Sequence, residues 1–243
     1  MDAFNYNRYP DFEGGEILLI DKPVGWSSFD IVKKMRNIIS SFIEKDKIKI
    51  GHAGTLDPLA TGLLIIVTGK ATKLIEQLQE GEKTYEATFQ LGATTPSFDM
   101  ETQIDKTFDF KDISVDVIEN VLKSMKGISF QTPPIYSAIQ IKGKRAYEYA
   151  RKGKSVKLEP RQINISELVL NNIDMPFVNV TITCSKGTYI RTFADDFGKK
   201  LNNGAFLYKL RRIKSGSFSV ENAVDLINFE KNLKKCNLLI KSS

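Results

Sequence analysis

A glycine-rich loop between two short strand-like segments constrains the fold more than any other part of this sequence. The loop runs from Gly51 to Gly62, and residues 47–50 before it and Leu63–Val67 after it have the composition of β-strands. The run at 63–67 is too short to cross a membrane and indicates a buried strand. The sequence therefore predicts a loop that is held between two strands.

The rest of the chain divides into helical and strand-like segments. Ser27 and Asp30 form the pattern of a capping box before a helix that ends near Phe42, and further helices are predicted from Ser114 and Thr188. Strands are predicted at 17–20, 85–91, 135–141, 162–170, 178–184 and 206–213. After a loose leader at residues 1–13, these elements predict one continuous α+β unit around a mixed, mostly antiparallel sheet flanked by helices.

Composition excludes several classes of protein. The chain has 243 residues, of which 42% are hydrophobic, enough for a sizeable core. No apolar run approaches the roughly 18 residues of a membrane helix and the N-terminus lacks signal-peptide features, so we expect a cytoplasmic protein. Because Cys184, Cys236 and His52 are the only residues of their types, a disulfide framework and a Cys/His zinc site are excluded. The spacing of Gly62 and Gly69-Lys70 does not fit a Walker phosphate loop.

The excess of positive charge is concentrated in two stretches. The formal net charge is +6, and residues 142–161 carry eight basic side chains against two acidic ones. Six further basic residues, and no acidic one, lie between Lys199 and Lys214. Clusters of this kind are typical of a protein that follows a phosphate backbone, although either could also be an ordinary solvated surface.

Asp57 and Pro58, within the loop, have two interpretations. An Asp-Pro pair most often forms a turn or caps a helix, because Asp bonds its own backbone and Pro fixes the next φ. The functional interpretation is that Asp57 is a carboxylate approached closely by a ligand. The glycines of the loop and His52, five residues upstream, favour that interpretation.

Several ordered segments resemble one enzyme family. The sequence Gly-His-Ala-Gly-Thr-Leu-Asp-Pro-Leu-Ala-Thr-Gly at 51–62 is similar to the signature loop of the TruB-type tRNA pseudouridine-55 synthases. Five further segments resemble the same family in the same order. They are Asp21-Lys22-Pro23 with Gly25-Trp26-Ser27-Ser28, Lys83-Thr84-Tyr85, 133–138 with 147–151, 184–192, and Leu210-Arg211-Arg212. The resemblance covers roughly Gly14 to Phe229.

The resemblance implies roles for individual residues. Asp57 would be the catalytic carboxylate and Arg191 its ion-pair partner, which would keep the carboxylate ionised. Tyr85 would stack on the target base and is a candidate acceptor of the C5 proton. The further substrate-binding residues implied are His52, Tyr189, Leu210, Lys22 and Pro23, with Asp99 as a weaker match because residues 94–99 follow the family pattern loosely.

The resemblance also implies a fold and a reaction. The fold would be that of the pseudouridine synthases, with a central RNA-binding cleft, and the catalytic domain would occupy residues 14–230. A short tail at 231–243 would replace the C-terminal RNA-binding domain of many members. The reaction would isomerise uridine-55 in the T-loop of tRNA, with tRNA as the partner of a monomer, and without metal or other cofactor.

Two other functions remain open at this point. The chain could be a non-catalytic RNA-binding or RNA-folding protein, although simple binding does not need the Asp57 carboxylate. It could also be a synthase that acts on another RNA. The chemical route is open as well, since Asp57 could attack the substrate or remove a sugar proton.

Overall fold

A computed structural model describes residues 2–137, 140–141, 143–150, 156 and 158–241 of the chain. These residues divide into two compact units, Met1–Thr84 with Arg211–Ser243 and Tyr85–Leu210, where the sequence predicted a single continuous one.

The helices are α1 Ser28–Phe42, α2 Ile75–Gln79, α3 Val115–Ser124, α4 Ala146–Ala150, α5 Ile190–Lys200 and α6 Leu226–Lys241. The strands are β1 Ile17–Lys22, β2 Ile50–Ala53, β3 Thr61–Thr68, β4 Lys83–Leu91, β5 Ala93–Thr94, β6 Lys106–Thr107, β7 Gly127–Gln131, β8 Gln140–Ile141, β9 Lys144–Arg145, β10 Arg161–Asp174, β11 Phe177–Cys184, β12 Ala205–Ser215 and β13 Phe218–Ser219.

Strand β3 organises the first unit. It pairs antiparallel with β1 and with β2, and parallel with Arg211 and Arg212 of β12, so the sheet is mixed. Its side chains are buried on both faces, because Leu64 and Ile66 pack with α1 and α6 while Leu63, Ile65 and Val67 pack in a second cluster with Leu78 of α2. A strand covered on both faces has a continuous apolar run, as the sequence shows here.

The two ends of the chain contribute to the core of this unit. Phe4 and Phe12 are buried against α1 and β1, although we expected residues 1–13 to be a loose leader. Phe229, Leu233 and Cys236 of α6 are buried as well, and their spacing is that of one helix face. Apolar side chains spread among polar ones escaped the sequence prediction at both ends.

The second unit is a sheet with helices packed on it. Its strand order is β12, β4, β11, β10 and β7, and β10 is antiparallel to both β11 and β7. The aromatic rings of Phe193 and Phe197 in α5 lie 5.9 and 5.6 Å from that of Phe89 in β4. The alternation of buried and partly exposed residues along β4 and β11 is the pattern that predicted these strands.

Most predicted elements are confirmed, with two differences. The strand expected at 47–50 begins at Ile50 and continues to Ala53, which shortens the loop to residues 54–60. Of the strand expected at 135–141, residues 135–137 form a bend and Gln140–Ile141 are β8, while 138 and 139 lie outside the described residues. Within the described ranges, none of the helices is long and apolar enough to cross a membrane.

Candidate active site

The loop at 54–60 is a hairpin connection in the first unit. Strands β2 and β3 pair up to Ala53 and Ile65, and Ala60 N donates to Asp57 O at 3.1 Å to close a turn. Leu56 and Ala60 are buried, whereas Asp57 between them is only partly buried. The loop therefore fixes the backbone around Asp57 and leaves its carboxylate near the surface of the unit.

Ser28, the first residue of α1, holds the loop on the N-terminal side of Asp57. Its buried hydroxyl accepts a hydrogen bond from Leu56 N at 2.8 Å and donates to Leu56 O at 3.0 Å. Both polar groups of one peptide residue are thus satisfied by a single side chain. Ser28 itself is held at the start of a helix that has a complete capping box.

Lys22 holds the loop on the C-terminal side. Its side chain is fully buried, and its ammonium group donates to Trp26 O at 2.6 Å, Pro23 O at 3.0 Å and Pro58 O at 3.4 Å. The pKa of Lys22 is lowered to about 8, chiefly by burial; the charge of Asp57 opposes this shift and that of Arg212 adds to it. The three carbonyl contacts of the ammonium group position the loop, and the substrate-binding role of Lys22 stays a prediction.

Arg212 of β12 binds the first residue of the same loop and a residue of β3 shortly after the loop ends. It is 1% exposed, and its guanidinium donates to Leu63 O at 2.8 Å and to Gly54 O at 3.0 Å. Its neighbour Arg211 points the other way and makes a forked ion pair with Asp21, at 3.0 and 2.7 Å. The prediction that this stretch follows phosphates is therefore wrong for Arg212, because alternate residues of a strand face opposite sides.

His52 lies in β2, close enough to the buried Arg212 to be affected by its charge. Burial lowers the pKa of His52, Arg212 lowers it as well, and a hydrogen bond with the Gly54 backbone partly opposes them. The imidazole is therefore neutral at physiological pH. Among the described residues, its Nδ1 atom is buried without a hydrogen-bond partner.

The second unit contains Arg191 and Asp99. Arg191, in the first turn of α5, is 3% exposed, and its Nη2 donates to Tyr136 O at 2.9 Å. Its Nε lies 3.6 Å from Asp99 Oδ2, and Asp99 is also buried. The structure thus brings Asp99, the weaker match, to Arg191. The predicted pairing of Arg191 with Asp57 stays a prediction.

The other predicted residues of the second unit lie on three elements. Tyr85 is buried near the start of β4, Tyr189 precedes α5 and Leu210 lies in β12, both partly buried. Gln131, which we did not predict, clamps Tyr189: its amide donates to Tyr189 O at 3.1 Å and accepts from Tyr189 N at 2.8 Å. A glutamine carries no sequence signal for this role, since only its burial at the end of β7 reveals it.

Comparisons with known proteins point to one family. The family model described as TruB family pseudouridylate synthase (N terminal domain) matches residues 41–190. A protein named tRNA pseudouridine synthase B from Flavobacterium johnsoniae is 49% identical over 221 residues, 90% of this chain and 96% of that one. A protein of the same name from Parabacteroides distasonis is 48% identical, covering 87% of this chain and 90% of that one.

Solved structures agree with this result. A chain from the crystal structure of a Cbf5-Nop10-Gar1 complex is 25% identical with a TM-score of 0.69, and the match covers 94% of this chain. The chain spans 61% of the length of that protein. A chain from the archaeal box H/ACA sRNP Nop10-Cbf5 complex, at 22% identity and a TM-score of 0.65, shows the same fold.

Proposed function

The chain belongs to the TruB family of pseudouridylate synthases, and we propose that it converts uridine-55 in the T-loop of tRNA to pseudouridine, with Asp57 as the catalytic carboxylate. Relatives that carry the name tRNA pseudouridine synthase B match this chain over nearly their whole length, which supports tRNA as the substrate. We also propose that the protein acts as a monomer in the cytoplasm, where tRNA is found.

The reaction is an isomerisation and needs no outside reactant. The bond between N1 of uracil and C1′ of the ribose breaks, and a bond between C5 and the same C1′ forms. The base loses the proton on C5 and gains one on N1, so atoms and electrons balance within the substrate. The protein must hold the detached base, let it turn and move one proton, which carboxylate, phenol and guanidinium groups can support.

The support of the Asp57 loop carries the proposal. Ser28 fixes Leu56 before Asp57, and Lys22 together with Gly25 N fixes Pro58 after it, the latter at 2.8 Å. Catalysis requires a reacting group held close to its productive position, and supports on both flanking residues provide that. A turn that served only to reverse the chain would not need a buried lysine and a buried arginine beneath it.

The proposed roles of residues in the second unit rest on the family motifs. Arg191 would keep the catalytic carboxylate ionised, Tyr85 would stack on the target base, and Tyr189 and Leu210 would line the pocket. The burial of Arg191 suits such a role, because a guanidinium removed from water acts strongly on a nearby carboxylate. The target base must also leave its stack, which costs a few kcal/mol that these contacts have to offset.

Replacing Asp57 by Asn tests the proposal. The Asp57→Asn protein should remain folded and bind unmodified tRNA transcript, yet form no pseudouridine, because the amide can neither attack nor accept a proton. The matched control is Asp46→Asn, an exposed carboxylate of the same unit, which should keep wild-type activity. Pseudouridine is mapped by position, and a transcript with cytidine at position 55 should give no product.

The outcomes separate the competing functions. Wild-type protein that binds tRNA and never modifies it would be an RNA-binding protein. Modification of ribosomal RNA but not of tRNA would mean a synthase with another substrate. An active Asp57→Asn protein would remove Asp57 from the chemistry.

A further inference from the structure

Large apolar side chains are exposed around the turn that precedes α1. Trp26 is 38% exposed, Val24 60% and Phe29 65%, and Leu59 of the Asp57 loop is also exposed. Exposed apolar side chains that lie together mark an interaction site more often than isolated ones do. These residues belong to the first unit and have no role in the proposed chemistry.

A cavity of about 400 Å³ opens beside Trp26. It is lined by Gly25, Trp26, Asp30, Lys33, Lys34 and Asn37. The last four follow one face of α1, at the spacing of successive helical turns. The volume falls within the range of small-ligand pockets, so a single nucleotide can be accommodated.

The charge of this cavity is positive. Lys33 and Lys34 are exposed, and within the described part of the chain neither forms an ion pair. Glu230 of α6 lies close enough to feel the charge of Lys34, but its ion pair is with Lys234, at 3.0 Å. Asp30 accepts hydrogen bonds from Ser27 N at 2.9 Å and Ser27 Oγ at 2.6 Å, so its carboxylate serves the capping box.

The turn that carries Trp26 is attached to the catalytic loop. Gly25 N donates to Pro58 O at 2.8 Å, and Lys22 Nζ binds Trp26 O and Pro58 O together. The backbone of Trp26 is thus fixed by the same ammonium group that positions the residue after Asp57. A ligand held here would sit at a fixed offset from the reacting carboxylate.

We propose that Trp26, Phe29, Lys33 and Lys34, which we call the Trp26 surface, form a second docking site for the substrate RNA, outside the reaction pocket. An unpaired base stacks on the indole, and the two ammonium groups bind the adjoining phosphates. Aromatic rings beside unpaired cations are the combination by which proteins hold single-stranded nucleic acid. The proposal rests on the proposed function for its RNA ligand, and the two can fail separately.

Trp26 is the only tryptophan of the chain, so its fluorescence reports on this surface alone. The Asp57→Asn protein, which binds without turnover, is titrated with unmodified tRNA transcript. Stacking should quench the emission in a saturable way, at the same concentrations that give half-maximal binding in a filter assay. Binding without any quenching would contradict a base stacked on Trp26.

Kinetics with variants give the second measurement. Trp26→Ala should raise KM for tRNA about tenfold and leave kcat nearly unchanged, because one stacking contact is lost away from the chemistry. Lys33→Ala with Lys34→Ala should also raise KM and reduce the salt dependence of log KM by about 1.5, since each phosphate contact contributes roughly 0.7 to 0.9. The matched control, Lys47→Ala with Lys49→Ala, removes two exposed lysines of the same unit and should change neither value much.

The outcomes are distinguishable from those of the proposed function. Unchanged KM and salt dependence in both variants, with normal pseudouridine formation, would overturn the Trp26 surface and leave the synthase assignment intact. Quenching by tRNA together with a wild-type protein that forms no pseudouridine would support the surface and overturn the assignment. If polyglutamate quenches Trp26 as strongly as RNA of equal charge, an acidic protein partner replaces RNA. Thermal melting of each variant verifies that it is folded.

Discussion

Two buried cations, Lys22 and Arg212, bind the backbone of the Asp57 loop. Each is surrounded by backbone carbonyls rather than by a carboxylate, which satisfies their donors without neutralising their charge. The charge of Arg212 adds to burial in lowering the pKa of His52. The two cations thus hold the loop in place, and Arg212 also acts on the imidazole of His52.

His52 should make stability depend on pH in a defined window. Its pKa is lowered in the folded protein from the ordinary value of about 6.5. Below pH 6.5 the unfolded chain therefore binds a proton that the folded protein resists, so the free energy of unfolding falls as pH decreases, by at most about 1.4 kcal/mol per pH unit. Below the folded pKa the decline from this group ends.

The measurement compares wild type with His52→Gln by urea unfolding between pH 8 and pH 5. The variant should lose less stability on acidification than wild type, because it lacks the titrating group. As His52 is the only histidine, its imidazole resonances can be followed by NMR, and they should titrate below pH 6.5. Parallel stability curves for the two proteins would show that His52 titrates normally.

The sequence proposes residues for the site, but it could not predict the environments of several of them. Asp57, Tyr85 and Arg191 follow from ordered motifs, because the residue type at each position is itself the signal. The burial of Lys22 and of Arg212 could not be predicted, since a basic side chain is normally exposed and nothing in the sequence marks its direction. Gln131 escaped notice for the same reason.

Gly62 allows β3 and β12 to pair just after the Asp57 loop. Its φ is +96°, and a Cβ atom there would lie 2.3 Å from the backbone oxygen of Arg212. Neither strand can move away easily, because Arg212 is anchored to Leu63 O and Gly54 O. Only glycine tolerates both the backbone conformation and the close approach at this position.

Gly62→Ala should therefore cost more stability than φ alone explains. A positive φ costs an alanine about 1–2 kcal/mol, and the clash with Arg212 should add at least as much again. Gly127→Ala is the matched control, since Gly127 has φ +93° and no atom within 4 Å of the added Cβ. Urea unfolding gives both free energies, and equal losses would show that the strands relax around the new methyl group.

Periodicity predicted the elements whose two faces differ clearly. Helix α1 and strands β4 and β11 place apolar residues on one side, and β3 is apolar from Leu63 to Val67 because both its faces are covered. Strand β7 gave no such signal, since Ile128 and Phe130 are largely exposed while Gln131 is buried. Helix α6 had the right spacing of Phe229, Leu233 and Cys236, but its many lysines and asparagines obscured it.

At the scale of the whole molecule, the net charge is +6, but several of the basic residues that carry it are paired or buried within the protein. In the stretch from Lys199 to Lys214, Lys199 pairs with Asp195, Arg211 pairs with Asp21, and Arg212 is buried. Half of that stretch is therefore engaged within the protein. In the other stretch, Lys142, Arg151, Lys152, Lys154 and Lys157 lie outside the described residues, and its role in RNA binding stays a prediction.

Salt dependence of tRNA binding tests that role. Affinity should fall steeply with ionic strength, because each phosphate contact releases counterions. Changing Lys152, Lys154 and Lys157 together to Gln should flatten the plot of log Kd against log salt concentration by about 2. The control changes the exposed lysines Lys106, Lys111 and Lys126 to Gln, which lowers the net charge equally.

If the control flattens the plot as much as the test variant, total charge rather than this stretch governs binding. If neither flattens it, the stretch does not contact the phosphates.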